Sequence, residues 1–220
     1  MIPTTRIAFP EIHLPTRQAH HLRGYFGNLF RDHSPLLHNH LEGGKLRFAY
    51  PLVQYRVVDG VPELIGFREG ATLLRDLFLQ IRELDIAGRI YPLHEKQLVS
   101  REAPLDVVDD LFRYRFATHY LPLKTPAYHR YQQTPLEERP AFLNRLLRNH
   151  LLAVFKGLNV WLEPHQRILV NAKLEERRTN FKNQQMISFL GTFTTNARLP
   201  EGVGVGSSVA RGYGVVIADC

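Results

Sequence analysis

Two hydrophobic periods alternate along the first hundred residues, and their order leaves few folds open. In residues 5–10, Ile7 and Phe9 alternate with Arg6 and Ala8, the period of a strand. Thr16 can then cap a helix whose Leu22, Phe26 and Phe30 recur every fourth residue. Residues 50–58 are β-branched and aromatic, Asp59-Gly60 is a hairpin turn signal, and residues 62–67 read as the returning strand. Over residues 71–84, Leu74, Leu77, Phe78 and Ile81 mark one helical face, and residues 89–99 read as a last strand. The order is βαββαβ, the split-βαβ or ferredoxin-like unit shared with RRM-like domains.

A stretch containing proline and acids, residues 103–110, breaks this pattern. It starts again where Phe112, Tyr114 and Phe116 alternate with Arg113 and Arg115. The sequence therefore predicts two α+β domains in tandem, residues 1–105 and 111–220. Thr134-Pro135-Leu136-Glu137 has capping-box spacing with proline at the first helical position, and Leu143, Leu146, Leu147, Leu151 and Val154 form the stripe of the longest helix. Strands are expected at residues 167–174, 186–195 and about 212–218. No full amphipathic helix fits between the last two, so the second ferredoxin-like unit is a degenerate copy with a C-terminal glycine-rich loop where its second helix would stand.

At 220 residues the chain is about one and a half ordinary domain lengths, enough to bury a core. Its longest uninterrupted apolar run, from Leu151 to Phe155, is far short of the roughly 20 residues of a membrane span, and its first residues lack the apolar stretch of a leader. A single cysteine, Cys220, excludes an intramolecular disulfide and a cysteine-built zinc site. The expectation is a cytoplasmic protein with no membrane association. Of its 28 cations, 22 are arginine and 6 lysine, and the excess lies in the second half: residues 1–110 carry a net −1, residues 111–220 a net +8. Arginine holds phosphate with a planar fork and stacks on bases, so this surplus suits nucleic acid as well as a solvated basic face.

Two segments are dense in chemistry. Glycines 202, 204, 206, 212 and 214 fall within thirteen residues, a cost in chain entropy that is accepted where positive φ or close approach is needed. The segment contains no Gly-Lys-Ser/Thr, and Ser207 and Val209 stand where G-x-G-x-x-G would need glycine, so no nucleotide cofactor is indicated. Arg211-Gly-Tyr-Gly214 matches only the first positions of the RNP1 motif of RNA-recognition domains. A glycine-rich turn before a terminal strand and a functional loop both fit. The second segment is His38-Asn-His40: in an extended stretch two such side chains point the same way, about 7 Å apart. They can act as a general base on a ribose 2′-hydroxyl and a general acid on the leaving 5′-oxygen, share a metal with His20, His21 or His33, or stand as two surface histidines.

Taken together, His38-Asn-His40, Tyr50-Pro-Leu-Val-Gln-Tyr55 and Gly204-Val-Gly206, followed after five residues by Gly212-Tyr-Gly214, resemble the CRISPR-associated endoribonucleases of the Cas-six family, b-type, of the repeat-associated (RAMP) superfamily. The resemblance covers essentially the whole chain and implies metal-independent cleavage of precursor CRISPR RNA within its repeats, with no cofactor. It places His38 and His40 as acid and base, with Tyr50 assisting; Arg31 or Lys45, not carried over from the family, can neutralise the phosphorane as cations do where charge develops. Many relatives carry a lysine inside the glycine loop; here Arg211 stands instead, and substrate binding is the loop's expected work. The RNA-binding set is then Gly204, Gly206, Arg211, Gly212 and Gly214, with exposed amides, together with Arg113, Arg115, Arg145, Arg148 and Lys45. The partner is CRISPR repeat RNA, and the resemblance also allows other effector-complex subunits and a homodimer. The alternative is a non-catalytic subunit that grips guide RNA without cutting it.

Overall fold

The computed structural model describes residues 1–29, 50–181 and 184–219. They form two compact units: Met1–Ala103 with Ala210–Gly212, and Pro104–Val209 with the chain from Tyr213 onward. Among the described residues no helix is long and apolar enough to cross a membrane.

In the first unit β1 (Ile2–Ala8) leads through one turn of 3-10 helix, Thr16–Gln18, into α1 (Ala19–Leu29). The hairpin of β2 (Val53–Val58) and β3 (Val61–Phe67) follows, and Asp59 and Gly60 at its turn both take positive φ, 50° and 84°, as an Asp-Gly pair favours. Next come α2 (Glu69–Leu77), β4 (Glu83–Ile86), β5 (Arg89–Pro92) and β6 (Gln97–Ala103). The sheet order is β2-β3-β1-β6 with every pairing antiparallel. Each helical crossover skips one strand, which is the ferredoxin-like topology. The helices bury Leu22, Phe26, Leu74 and Leu77 against Ile7, Tyr55, Val57 and Leu64, and the Phe26 ring stacks between Phe9 at 6.2 Å and Tyr55 at 5.9 Å. Removal of each such side chain from water contributes about 1.5–3 kcal/mol. Glu63, also buried, is held by Arg6 at 2.7 Å and Arg56 at 2.9 Å, which compensates its charge.

The expected helix over residues 71–84 is shorter than its spacing suggested. It stops at Leu77, a 3-10 turn takes Phe78–Gln80, and Leu84 belongs to β4. The expected strand over 89–99 is two strands: β5 closes a separate hairpin on β4, and β6 supplies the sheet's fourth strand.

The second unit is built from β7 (Asp106–Phe116), α3 (Thr125–Gln133), α4 (Arg139–Gly157), β8 (Val170–Phe181), β9 (Gln184–Arg198) and β10 (Val216–Ala218). Its order, β10-β7-β9-β8, repeats that of the first unit strand for strand, the two helices in succession standing for the first crossover. In place of the second crossover helix there is the glycine-rich segment, with one 3-10 turn at Val209–Arg211. Tyr114, Phe116, Phe189 and Phe193 line the helix-covered face, where they meet Tyr120 and Tyr131. Residues 103–110 are mostly strand rather than a break, with a register shift between Val107 and Phe112 absorbing the irregularity. The capping box at Thr134 does not form: its hydroxyl donates to the Arg130 carbonyl and closes α3, a helix absent from the sequence reading. The strands expected at 167–174 and 186–195 are longer, because the hairpin of β8 and β9 continues through the exposed charges Glu175–Arg178.

Candidate functional site

The glycine-rich segment folds back on itself beside the end of β7. Val205 N–H donates to the Gly214 carbonyl (2.8 Å), Gly202 N–H to Val216 (2.8 Å) and Val216 N–H to Val203 (3.0 Å). The following edge of β7 completes the set: Gly214 N–H donates to His119 (2.9 Å) and Ser207 N–H to Leu121 (3.1 Å). Gly214, at φ +66°, lies so close to the Val205 carbonyl oxygen that a Cβ would overlap it, and a Cβ on Gly206, at φ +98°, would stand 2.7 Å from Tyr120 Cε2. Gly204, Gly212 and Gly214 are buried and Gly206 is half-buried. The expectation of an exposed row is therefore corrected: Gly204, Gly212 and Gly214 are buried, and at Gly206, Gly212 and Gly214 a Cβ would meet a protein ring, side chain or backbone.

Two histidines brace this loop from the second unit. Ser188 Oγ donates to the Arg177 carbonyl (3.2 Å), so its contact with His119 Nδ1 (3.0 Å) has the imidazole as donor, and burial, then the charge of Arg177, lowers the His119 pKa. Beneath Gly206, the buried Tyr120 hydroxyl and His150 Nδ1 share a hydrogen bond of 2.7 Å. Burial, then the charge of Lys124, lowers the His150 pKa to about 4, so its ring is neutral at neutral pH. Neither residue was singled out from sequence, because both lie in segments without motif spacing.

The tip of the loop departs from this pattern. Ala210–Gly212 groups with the first unit. A Cβ on Gly212, at φ +85°, would lie 2.8 Å from Ala19 Cβ and 3.2 Å from both Arg56 Cα and the Tyr55 carbonyl oxygen. Burial, then the charge of the neighbouring Arg211, lowers the pKa of Arg23 on α1.

The other arginines expected to bind RNA divide between two sides of the second unit. Arg113 and Arg115 alternate with the buried Tyr114 and Phe116, so they stand on the open face of the sheet, where Arg113 Nε meets Asp219 Oδ2 at 2.7 Å. The register puts Lys173 on the same face, across Thr192 from Arg115. Arg145 and Arg148 are exposed on the outer side of α4, whose other side buries Leu143, Leu147 and Leu151. Tyr50 is half-buried just ahead of β2. His33, His38, His40, Arg31 and Lys45 lie outside the described residues, and among the described ones no three His, Cys, Asp or Glu side chains cluster to hold a metal.

Similarity to known proteins runs through both units. Residues 1–104 match the Cas6b N-terminal domain and residues 106–218 the Cas6b C-terminal domain. A crystal structure of Cas6b aligns with a TM-score of 0.93 at 28% identity, covering 99% of each chain. The structure of a CRISPR RNA processing endoribonuclease, also Cas6b, gives 0.80 at 26% identity over 99% of each chain. An uncharacterised protein of Methanocaldococcus jannaschii is 24% identical over 142 residues, 64% of this chain and 96% of that one. With both domains matched in order along nearly the full length, and with the tandem ferredoxin-like sheets they require, the chain belongs to the Cas6b family.

Proposed function

We propose that this protein is an endoribonuclease that cleaves precursor CRISPR RNA within its repeats to release guide RNAs. The observation that carries the reading is the agreement, over 99% of both chains at 26% identity, with a Cas6b described as a CRISPR RNA processing endoribonuclease. In this reading the first domain, residues 1–105, supplies the histidine pair and the second, residues 111–220, the glycine-rich loop. RNA brings its own nucleophile. One of His38 and His40 removes the proton of the 2′-hydroxyl, which attacks the adjacent phosphorus; the other protonates the departing 5′-oxygen. The products are a 2′,3′-cyclic phosphate and a 5′-hydroxyl, and no metal is required. Tyr50 assists at the phosphate, and Arg31 or Lys45 offsets the charge that develops on the phosphorane.

The test is incubation of the purified protein with its own repeat RNA in EDTA, followed by analysis of the product ends. Cyclic phosphate ends, and no product from RNA lacking the scissile 2′-hydroxyl, are expected. His38→Ala and His40→Ala should each lower the rate by about 10²–10⁴-fold while RNA affinity holds. Inhibition by EDTA that added metal reverses would overturn the mechanism, and normal rates in both variants would move the site elsewhere.

A further inference from the structure

Cross-strand geometry leaves part of the second sheet's edge open. Tyr120 exchanges both backbone hydrogen bonds with Phe189, at 2.9 Å each, so Phe189 turns its N–H and C=O away from β8. Its partner across the ladder, Glu176, therefore turns its own outward, and in an antiparallel pair this phase recurs at every second residue. Ala172 shows the same phase: its N–H reaches out to Asn144 Oδ1 of α4 at 2.9 Å. Leu174 lies between the two. Among the described residues nothing bonds to the Leu174 N–H and C=O or to the Glu176 N–H, and the Glu176 C=O has only a long 3.5 Å contact from the adjacent Arg177.

Beside this open length lies a cavity of about 380 Å³, lined by Tyr131, Arg139 and Leu143 from the helices and by Leu174 and Phe189 from the sheet. It stands at the low end of the roughly 300–1,000 Å³ of ligand clefts, so one large apolar side chain suits it better than a cofactor. Leu136, which also lines it, is 73% exposed, an apolar surface with no cover. The charges around the edge are unevenly matched. Glu176 accepts from the Tyr131 hydroxyl at 3.0 Å and Glu175 pairs with Arg177, whereas Arg139, Lys173 and Arg178 meet no carboxylate among the described residues. Backbone donors and acceptors that recur about every 7 Å are matched by another extended peptide and not by a sugar-phosphate chain. Because α4 closes the edge at Ala172, the open length admits a narrow segment rather than a second sheet.

We propose that the edge of β8 at residues 174–176 is a docking site for an extended segment of another protein, which adds a fifth strand to the β10-β7-β9-β8 sheet and places one leucine- to phenylalanine-sized side chain in the adjoining cavity. Acidic residues flank that side chain and answer Arg139, Lys173 and Arg178. Backbone hydrogen bonds supply affinity, and the cavity supplies specificity. The surface goes beyond the RNA-processing reading and does not depend on it.

The experiment selects random heptapeptides displayed on phage for binding to the full chain, with counter-selection on Leu174→Pro and Leu136→Glu. The first variant removes an edge N–H that makes no bond in the sheet, and the second puts a charge at an exposed position, so both should melt close to wild type. If Leu174→Pro melts much lower, Leu136→Glu alone carries the counter-selection. Survivors should share one aromatic or leucine residue flanked by aspartate or glutamate. The strongest survivor, synthesised and added at saturation, should slow hydrogen exchange at the Leu174 and Glu176 amides by at least about tenfold. N-methylation of that peptide, one residue at a time, should weaken binding at least about tenfold at alternate positions only, since every second amide faces β8. Loss at no position or at every position would overturn strand addition, as would protection of other amides or a selection in which nothing survives. A 2′-O-methyl repeat oligonucleotide that protects these two amides and is not displaced by the peptide would assign the surface to RNA and overturn the proposal.

Discussion

Alanine at Gly214 asks two separate things of the chain, and two other glycines divide the cost. Gly24, inside α1, has no atom within 4 Å of a Cβ and ordinary helical φ, so Gly24→Ala should stabilise by about 0.5–1 kcal/mol through the unfolded chain. Gly88 has φ +84° and open space, so Gly88→Ala carries the left-handed penalty alone, about 1–2 kcal/mol. Gly214 has φ +66° and also faces the Val205 carbonyl oxygen, which must move away. That movement breaks the Val205–Gly214 hydrogen bond and the Gly204–Val215 bridge, at about 1 kcal/mol each. The sum for Gly214→Ala is about 3–4 kcal/mol. With roughly 2–4 °C per kcal/mol for a chain of this length, calorimetry should show Gly24→Ala melting slightly above wild type, Gly88→Ala about 2–8 °C below it, and Gly214→Ala about 6–16 °C below it. The comparison isolates the close approach, because both strained glycines share the φ penalty. A Gly214→Ala melting point equal to that of Gly88→Ala would refute the packed-loop account and restore the open cradle.

His150 titrates in the folded state near 4 against an ordinary 6.5, so between those values the unfolded chain binds the extra proton. Its contribution is fully present above pH 6.5 and is lost as pH falls toward 4, up to about 3 kcal/mol. Stability measured by denaturant from pH 7 to 4.5 should fall less steeply in His150→Gln than in wild type, and parallel profiles would remove His150 as the cause. The expected phosphate contacts lie on two sides of the second unit and can be tested separately: joint reversal of Arg113 and Arg115 to glutamate, and joint reversal of Arg145 and Arg148, should each weaken repeat-RNA affinity in filter binding by at least about tenfold, each contact being worth that much. A pair whose reversal leaves affinity and its salt slope unchanged would be removed from the RNA-binding set.

How far each feature could be read depends on whether its physical cause is local. The turn at Asp59 and Gly60 was legible because the pair itself prefers the positive φ values it adopts. The turn at Ala87 and Gly88 was not, since alanine takes φ 56° there only under the pull of tertiary pairing, helped by Asp85 Oδ1 accepting from Gly88 N–H at 2.8 Å. Leu84 satisfied the helical spacing set by Leu77 and Ile81, yet it is equally buried as a strand residue, and spacing alone does not separate the two over so short a run. Helix α3 buries only Ala127 and Tyr131, too sparse a stripe to register. The glycine-rich segment shows the same limit in the candidate site. A cluster of glycines states that something comes close to the backbone, and the residues lacking a Cβ do not say what. At Gly214 the neighbour is the Val205 carbonyl and at Gly206 the Tyr120 ring, whereas at Gly212 it is helix α1, from the opposite end of the chain. A charge balance over the two halves of the sequence assigns residues 210–212 to the basic half, but the fold groups them with the nearly neutral first unit. That grouping depends on a glycine at positive φ that can sit against α1, and the net charge of either half does not reveal it.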